Sequence, residues 1–268
     1  MRGRCRKCRL LPTVMRFAHH LAMTTFPSPQ WQRTRGPTAM KGVISKLVTG
    51  GDPRRKSRLH TEQNELIPLI QALIDAPGCL VAKLTKRREH RPPRPWWPVS
   101  VIPQVERFLQ PSHVVVEFGS GSSTLWLASR AQSVISMEAS TEWAVITERR
   151  LMERGLSNTR LIRADGPRYW SPPADTGPFD LAIIDGAFRW KCFEAVLPRM
   201  NHGGLIYLDN ADSDKDLEQY DDDGPRRRVQ LLMEREHKVR RGSRLVKARS
   251  LIDGELFAGE GWLFYLPD

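Results

Sequence analysis

The chain has 268 residues, of which 40% are hydrophobic and 27% are charged. No run approaches the roughly 18 consecutive apolar residues that a membrane span requires, so we expect a soluble protein with one α/β core and accessory segments. The net charge of +12 would suit a nucleic-acid-binding protein, but residues 1–60 hold 14 Lys and Arg against one acid, whereas residues 61–268 hold 28 against 29.

The basic segment, residues 1–60, is predicted to be a disordered N-terminal extension, because it is rich in Arg and shows little hydrophobic periodicity. Three interpretations are open: an organellar transit peptide, an electrostatic tail for nucleic acid or membrane, or an extension that precedes a true start at Met23 or Met40, which we favour. Cys5 and Cys8 have no second pair to complete a zinc site. Four cysteines without a secretion signal favour a reducing compartment, and we expect a cytoplasmic protein.

Residues 61–95 are predicted to form a helical accessory segment and linker. An amphipathic helix is predicted between Glu62 and Ile74, interrupted early by Pro68, and we expect its apolar face to cover an edge of the core or part of the active site; the face comprises Leu66, Ile67, Ile70, Leu73 and Ile74. A basic, Pro-rich connector then ends in Trp96 and Trp97. These indoles are interpreted either as packing on the core or as part of a substrate lid.

Residues 114–124 carry the most informative motif of the chain, an apolar strand that ends in an acid and continues into two closely spaced glycines. Gly119 and Gly121 allow the backbone to turn tightly and to approach a ligand, and the helix that follows directs its first amides toward the same place. Thr124 stands where the dinucleotide-binding fingerprint has its third glycine, which argues against NAD.

Four further predicted strands end in polar residues, as expected where the carboxyl edge of a parallel sheet binds a ligand. These residues are Glu138 after the second strand, Asp165 and Gly166 after the third, Asp185 after the fourth, and Asp209 and Asn210 after the fifth. Residues 243–252 and 261–266 are predicted to be the last two strands. Helix-length segments between the strands favour an open, doubly wound α/β sheet.

The acid-x-Gly-x-Gly motif and the acids after the later strands resemble those of the class I S-adenosylmethionine-dependent methyltransferases. The resemblance implies a Rossmann-like methyltransferase domain over residues 96–268, with a mostly parallel seven-stranded sheet and an antiparallel last strand. It implies S-adenosylmethionine as cofactor, with the glycine turn against its methionine part, Glu117 orienting the loop and the amino group, Glu138 on the ribose and Asp165 near the adenine. The implied cofactor-binding set is Glu117, Phe118, Gly119, Ser120, Gly121, Glu138, Asp165, Gly166 and Asp185.

Asp185, Asp209 and Asn210 also resemble the metal ligands of the catechol and caffeoyl-CoA type O-methyltransferases, and oxygen ligands of this kind suit Mg²⁺. Phe188 stands where those enzymes have a lysine, which weakens the magnesium hypothesis. Without a metal, Asp185 or Asp209 is the expected general base.

The sequence therefore predicts a methyltransferase that acts on an oxygen atom of a small molecule, without a membrane span. The alternative is an RNA-binding protein or RNA methyltransferase that uses the basic N-terminal segment. We consider nucleic acid the weaker choice of partner, because residues 61–268 are close to neutral.

Overall fold

The computed structural model describes residues 55–85, 93–212 and 227–268. The order of elements is α1 Leu69–Thr85, α2 Ile102–Phe108, β1 Val114–Phe118, α3 Ser122–Ala128, β2 Ser133–Glu138, α4 Thr141–Glu153, β3 Thr159–Arg163, α5 Gly166–Tyr169, β4 Phe179–Ile184, α6 Arg189–Val196, the 3₁₀ turn Leu197–Arg199, β5 Met200–Leu208, α7 Arg227–Val239, β6 Arg244–Leu251 and β7 Ala258–Tyr265. The predicted magnesium ligands and cofactor-binding residues all lie within the described ranges, whereas the interpretations of residues 1–54 lie outside them.

A single seven-stranded sheet organises these elements in the order β3-β2-β1-β4-β5-β7-β6. β1 pairs in parallel with β2 and β4, and β4 pairs in parallel with β5. β7 lies antiparallel between β5 and β6. The predicted mostly parallel, doubly wound sheet with an antiparallel last strand is therefore confirmed.

Both faces of the sheet are covered, which explains why its central strands are almost continuously apolar. On one face, Val115 and Leu125 belong to a core that includes Trp97. On the other face, Phe118 packs in a second core with Phe193 and Phe264. These two layers leave the carboxyl edge of the parallel strands as the open side of the domain.

The strand order reverses between β1 and β4: the strands that follow β1 in sequence lie toward one edge of the sheet, and those that follow β4 lie toward the other. Connections from these two strands leave over opposite faces, so a crevice opens outside their carboxyl ends, where ligands bind in doubly wound folds. Residues that directly follow β1 and β4 are therefore held at the mouth of that crevice.

Helix α1 faces the sheet with the side opposite to the one that we predicted. Its buried residues are Ala72, Asp75 and Cys79, which lie near β6, whereas the long aliphatic residues point away from the protein. Of the predicted apolar face, only Ile67, which precedes the helix, is buried. A helix is confirmed, but it begins at Leu69 and ends at Thr85, later in the chain than the predicted range of Glu62 to Ile74. The expectation that its apolar face covers the core is wrong, because small side chains make the contact instead.

Residues 55–60 pack against the start of β7, at Ala258. Arg55 is buried and donates a hydrogen bond to the carbonyl of Ala258, whose own amide donates to the carbonyl of Arg58. None of the helices in the described part of the chain combines the length and the hydrophobicity that a membrane span needs.

Candidate active site

A cavity of about 620 Å³ opens at the carboxyl ends of β1, β2 and β4. The cavity lies where the strand order reverses between β1 and β4, which is the switch point of the sheet. Its lining consists of Trp96, Gly119, Ser120, Gly121, Ser122, Ser123, Glu138, Ala139, Ser140, Trp143, Arg150, Tyr169, Asp185, Gly186, Ala187, Phe188 and Arg189. Ligand sites in proteins commonly have volumes of roughly 300 to 1,000 Å³, so this cavity can hold a nucleoside-sized molecule with a second small ligand beside it.

The two glycines of the β1 turn have different roles. Gly119 has a φ of +98°, and a Cβ atom there would lie 3.0 Å from the Gly186 nitrogen, so this glycine lets the turns after β1 and β4 touch. A Cβ atom on Gly121 would meet no protein atom within 4 Å. Gly121 faces the cavity, and the fold itself does not require a glycine there, so the space beside it is available to a ligand.

Glu117 lies behind the turn and is fully buried. Its carboxylate accepts hydrogen bonds from the hydroxyls of Ser123 at 2.5 Å, Thr124 at 2.6 Å and Ser136 at 2.9 Å. Burial raises the pKa of Glu117 to about 7, although these three hydroxyl donors oppose the shift. Glu117 thus ties β1 to β2 and to the first turn of α3, which orients the loop. The expected contact with the cofactor's amino group is not supported, because this carboxylate does not line the cavity.

Glu138 does line the cavity, and it also fixes the glycine turn. Its Oε2 accepts hydrogen bonds from the backbone amide and the hydroxyl of Ser120, both at 2.7 Å, and its Oε1 accepts from the Ser140 amide at 2.7 Å. Each carboxylate oxygen has two lone-pair sites, so both sites of Oε2 are used, whereas Oε1 keeps one site that can accept a hydroxyl group of a ligand.

Phe118, Asp165 and Gly166 do not line the cavity. Phe118 is buried in the core, and only its carbonyl takes part in the site region, by accepting the Asp185 amide at 3.0 Å. Asp165 is exposed. Asp165 and Gly166 directly follow β3, the edge strand two positions from β1, and lie outside the cavity lining, whereas Tyr169 at the end of α5 reaches it. The adenine contact inferred for Asp165 therefore has no support in the geometry.

One face of α4 contributes residues that the sequence analysis did not single out. Trp143 and Arg150 line the cavity, and the hydroxyl of Thr147, between them, lies 3.3 Å from the Ser120 hydroxyl. Arg150 donates a hydrogen bond to the Ser122 hydroxyl at 3.3 Å, and burial lowers its pKa from the usual value. The spacing of four and three residues, on the helix that follows the acid-tipped second strand, is the signal that predicts this face.

Asp185 and Asp209 form a carboxyl pair at the ends of β4 and β5. Asp185 lines the cavity and accepts a hydrogen bond from the Trp97 indole at 3.2 Å, whereas Asp209 is buried and accepts one from the Tyr207 hydroxyl. Burial and the nearby charge of Asp185 raise the pKa of Asp209 well above its usual range, and a hydrogen bond between the two carboxyls adds to this. Simultaneous ionisation of the two carboxyls is therefore disfavoured.

The guanidinium of Arg189 lies against this pair. It donates hydrogen bonds to the carbonyls of Asp185 at 2.9 Å and Gly186 at 2.7 Å and to the carbonyl of Asp209. It also forms an ion pair with the Asp185 carboxylate at 3.8 Å. A permanent cation is thereby built into the loop after β4.

These residues do not fit a magnesium ion. A hard cation needs ionised oxygen ligands, whereas burial raises the pKa of Asp209 and Arg189 already places a positive charge beside Asp185. Asn210 follows in a left-handed conformation with a φ of +44°, and no group of three or more His, Cys, Asp or Glu side chains within the described ranges is arranged to hold a metal. The hypothesis that Asp185, Asp209 and Asn210 bind Mg²⁺ is unsupported.

The two tryptophans at the end of the connector have different surroundings. Trp97 is fully buried, with its ring centroid 6.0 Å from that of Trp126 in α3 and 4.7 Å from that of Tyr207. Trp96 is 41% exposed and lines the cavity. The interpretation of core packing therefore holds for Trp97, whereas Trp96 contributes a wall of the site.

Comparison with known proteins identifies the fold. No protein-family model and no curated protein matches the sequence. The O-methyltransferase TomG from Streptomyces achromogenes, solved in complex with SAM, is 17% identical, aligns over 75% of this chain and 96% of its own, and gives a TM-score of 0.51. An rRNA methylase from Streptococcus thermophilus is 17% identical over 63% of this chain and 97% of its own, with a TM-score of 0.47. At such identity the likeness to TomG shows a shared fold.

Proposed function

We propose that this chain, which has the class I methyltransferase fold, is an S-adenosylmethionine-dependent methyltransferase that methylates an oxygen atom of a small molecule. The observation that carries the proposal is the convergence of Gly121 and Glu138 on one cavity at the switch point of the sheet. Gly121 leaves space for a ligand, and Oε1 of Glu138 offers an acceptor for a ribose hydroxyl.

The chemistry of the lining residues fits the parts of this cofactor. The ribose belongs on Glu138, and the base belongs against Ala139 and the ring of Trp143, in place of the inferred contact with Asp165. Arg150, next to Ser122, supplies the positive charge that the carboxylate of the methionine part requires. Gly119 and Ser120 form the turn beneath, and Glu117 holds that turn from behind without touching the ligand.

The sulfonium of the bound cofactor supplies an electrophilic methyl group, so the protein has to position the acceptor, exclude water and receive a proton. Asp185 is the residue that receives the proton, because its carboxylate faces the cavity. The Trp97 indole and the Arg189 guanidinium hold this carboxylate in place. Asp209, predicted as a second catalytic residue, is a positioning residue in this proposal, since it is buried beside Asp185 and does not line the cavity.

The acceptor belongs on the side of the cavity formed by Trp96, Phe188 and Asp185. Phe188 has a φ of +49°, a conformation that costs on the order of 1 kcal/mol for a residue with a side chain, and its ring packs 5.0 Å from that of Trp170. Two aromatic side chains beside one carboxylate suit a planar, weakly acidic hydroxyl compound.

The test is transfer of a labelled methyl group from S-adenosylmethionine to small molecules of a cell extract. We expect label in a low-molecular-mass fraction, full transfer in the presence of a metal chelator, and a loss of at least about 100-fold with Asp185→Asn. Label in no fraction, with cofactor binding intact, would contradict the proposed acceptor class, and dependence on added Mg²⁺ would contradict the role of Arg189.

The alternative acceptor is RNA, favoured by the 14 Lys and Arg of residues 1–60, most of which lie outside the described ranges. Binding that depends on those cations would weaken steeply with rising salt. Label in the RNA fraction that disappears at high salt would therefore favour this function over the small-molecule one.

A further inference from the structure

Helix α1 carries its apolar side chains on the outside of the domain. Ile70 is 77% exposed, Leu73 is 76% exposed and Leu84 is 72% exposed, and the remaining large residues of this face are also exposed. The outer face of α1 consists of Leu66, which directly precedes the helix, and of Leu69, Ile70, Leu73, Ile74, Leu80, Val81 and Leu84. Exposed apolar residues gathered on one surface mark an interaction site, whereas single scattered ones do not.

The side of α1 that faces the sheet explains why the long aliphatic side chains point outward. Ala72 and Cys79 pack against Leu251 and Ala258, so small side chains bring α1 close to the sheet. Lys83 is paired with Glu255 at 3.3 Å, and Asp75 accepts a hydrogen bond from Gln71 at 2.8 Å. The two charged groups of the helix are therefore held by neighbours, and the outer face itself consists of aliphatic residues.

The spacing along the outer face specifies what covers it. Within α1, Ile70, Leu73, Pro77, Leu80 and Leu84 follow one another at intervals of three and four residues. This is the repeat by which one helix packs against another helix of the same kind, with each apolar side chain set between side chains of the partner. The row spans α1 from residue 70 to residue 84, with Pro77 at its middle.

A groove beside the row provides the complementary shape. It has a volume of about 420 Å³, and its walls include Ile74, Gly78, Val81 and Thr85 of α1 together with Val99 and Arg94. A Cβ atom on Gly78 would meet no atom within 4 Å, so the groove is open along the helix. A ridge and a groove on the same surface allow two identical molecules to pair about a two-fold axis, each ridge in the other's groove.

We infer that the outer face of α1 is the interface of a homodimer, with a second copy of this chain as its partner. A stable interface takes about 800 Å² from each partner and has an apolar centre with a polar rim. Eight large aliphatic side chains, each 44% exposed or more, supply such a centre. Gln71 and the pair of Lys83 with Glu255 lie at its border. The interface is independent of the proposed activity, because none of the outer-face residues lines the cavity at the switch point.

The test is the molar mass of the full chain in solution, measured by light scattering at tens of micromolar. We expect twice the 30.7 kDa of one chain, and a mass that persists as salt rises, because an apolar interface is not screened. The double variant Ile70→Glu with Leu73→Glu should weaken association by more than about 100-fold. The matched controls are Leu231→Glu and Met152→Glu, at residues that are 53% and 74% exposed on other helices; these should remain dimeric.

A monomeric wild-type chain would overturn the inference and would point instead to cover by the chain's own residues or by a different protein. A double variant that stays folded by circular dichroism and still dimerises would overturn it as well. If that variant does not fold, Leu84→Lys alone is the substitute, since this side chain is 72% exposed near the end of the helix.

Discussion

Two glycines separated by a single residue differ in what they do for this protein. Gly119 is required by the fold, because its φ is +98° and its missing side chain lets the loop after β4 approach. Gly121 is required only by a ligand, since it has space on its cavity side. Substitution by alanine separates the two roles.

We expect Gly121→Ala to leave the free energy of unfolding unchanged or slightly raised, because alanine restricts the unfolded chain and meets no atom in the folded one. The added methyl group would occupy cofactor space and weaken S-adenosylhomocysteine binding at least about tenfold. Gly119→Ala should instead destabilise the fold by roughly 1 to 3 kcal/mol. Thermal unfolding and calorimetry check both; equal stability losses in the two variants would contradict this assignment.

Glu117 makes a different prediction, about pH. Its pKa is about 7 in the folded protein, because burial outweighs the three hydroxyl donors, and near 4.5 without burial. Between these values the folded state holds a proton that the unfolded state has lost, so the contribution of Glu117 to stability is full below pH 4.5 and declines as the pH rises toward 7.

Glu117→Gln removes this titration and leaves the other groups in place. The free energy of unfolding of the wild type, relative to the variant, should therefore fall by up to about 3 kcal/mol between pH 5 and pH 8. Urea unfolding of both proteins at several pH values measures the difference. Parallel pH profiles would show that Glu117 is ionised throughout.

At the scale of the element, α4 directs Trp143, Thr147 and Arg150 toward the cavity, whereas Arg149 points to solvent and pairs with Glu153 at 3.6 Å. Arg150→Met should weaken S-adenosylhomocysteine binding by roughly 10- to 100-fold, because a charge-assisted hydrogen bond to a carboxylate is lost. Arg149→Met is the matched control and should change little.

A ligand without the amino-acid part distinguishes this role from a general effect of the substitution. 5′-Methylthioadenosine retains the base and ribose but has no carboxylate, so its affinity should be equal for the wild type and Arg150→Met. Equal losses for both ligands would mean that Arg150 shapes the cavity and does not pair with the carboxylate.

The elements also show how far the sequence is informative. Acids after parallel strands could be predicted to gather at one edge, because the strands end together, and Glu138 and Asp185 do line the cavity. Which acids turn inward depends on neighbours distant in sequence. Glu117 is held away by hydroxyls from α3 and β2, Asp165 follows an edge strand, and Asp209 is enclosed beside Tyr207 and Arg189.

The periodicity of α1 likewise leaves open which neighbours its apolar face contacts. A repeat of aliphatic residues predicts an apolar face, but it does not say whether that face meets the chain's own core or another molecule. The choice lies with Ala72 and Cys79, whose small side chains fit the sheet more closely than the aliphatic face.

For the whole molecule, a mostly parallel seven-stranded sheet with an antiparallel last strand could be predicted because the glycine turn, the strand-end acids and the final strand pair all belong to one architecture. The sheet places a cavity of about 620 Å³ at the reversal between β1 and β4. A permanent cation, Arg189, lies beside Asp185, where the sequence had indicated a metal. The substitution of Phe188 for the expected lysine was the visible sign of that difference.

The measurement that tests the central claim most directly is a calorimetric titration of the full chain with S-adenosylhomocysteine, with NAD as the comparison ligand. We predict one S-adenosylhomocysteine bound per chain, with no dependence on added metal, and no binding of NAD. Absence of binding to S-adenosylhomocysteine and to S-adenosylmethionine, or saturable binding of NAD in their place, would contradict the account.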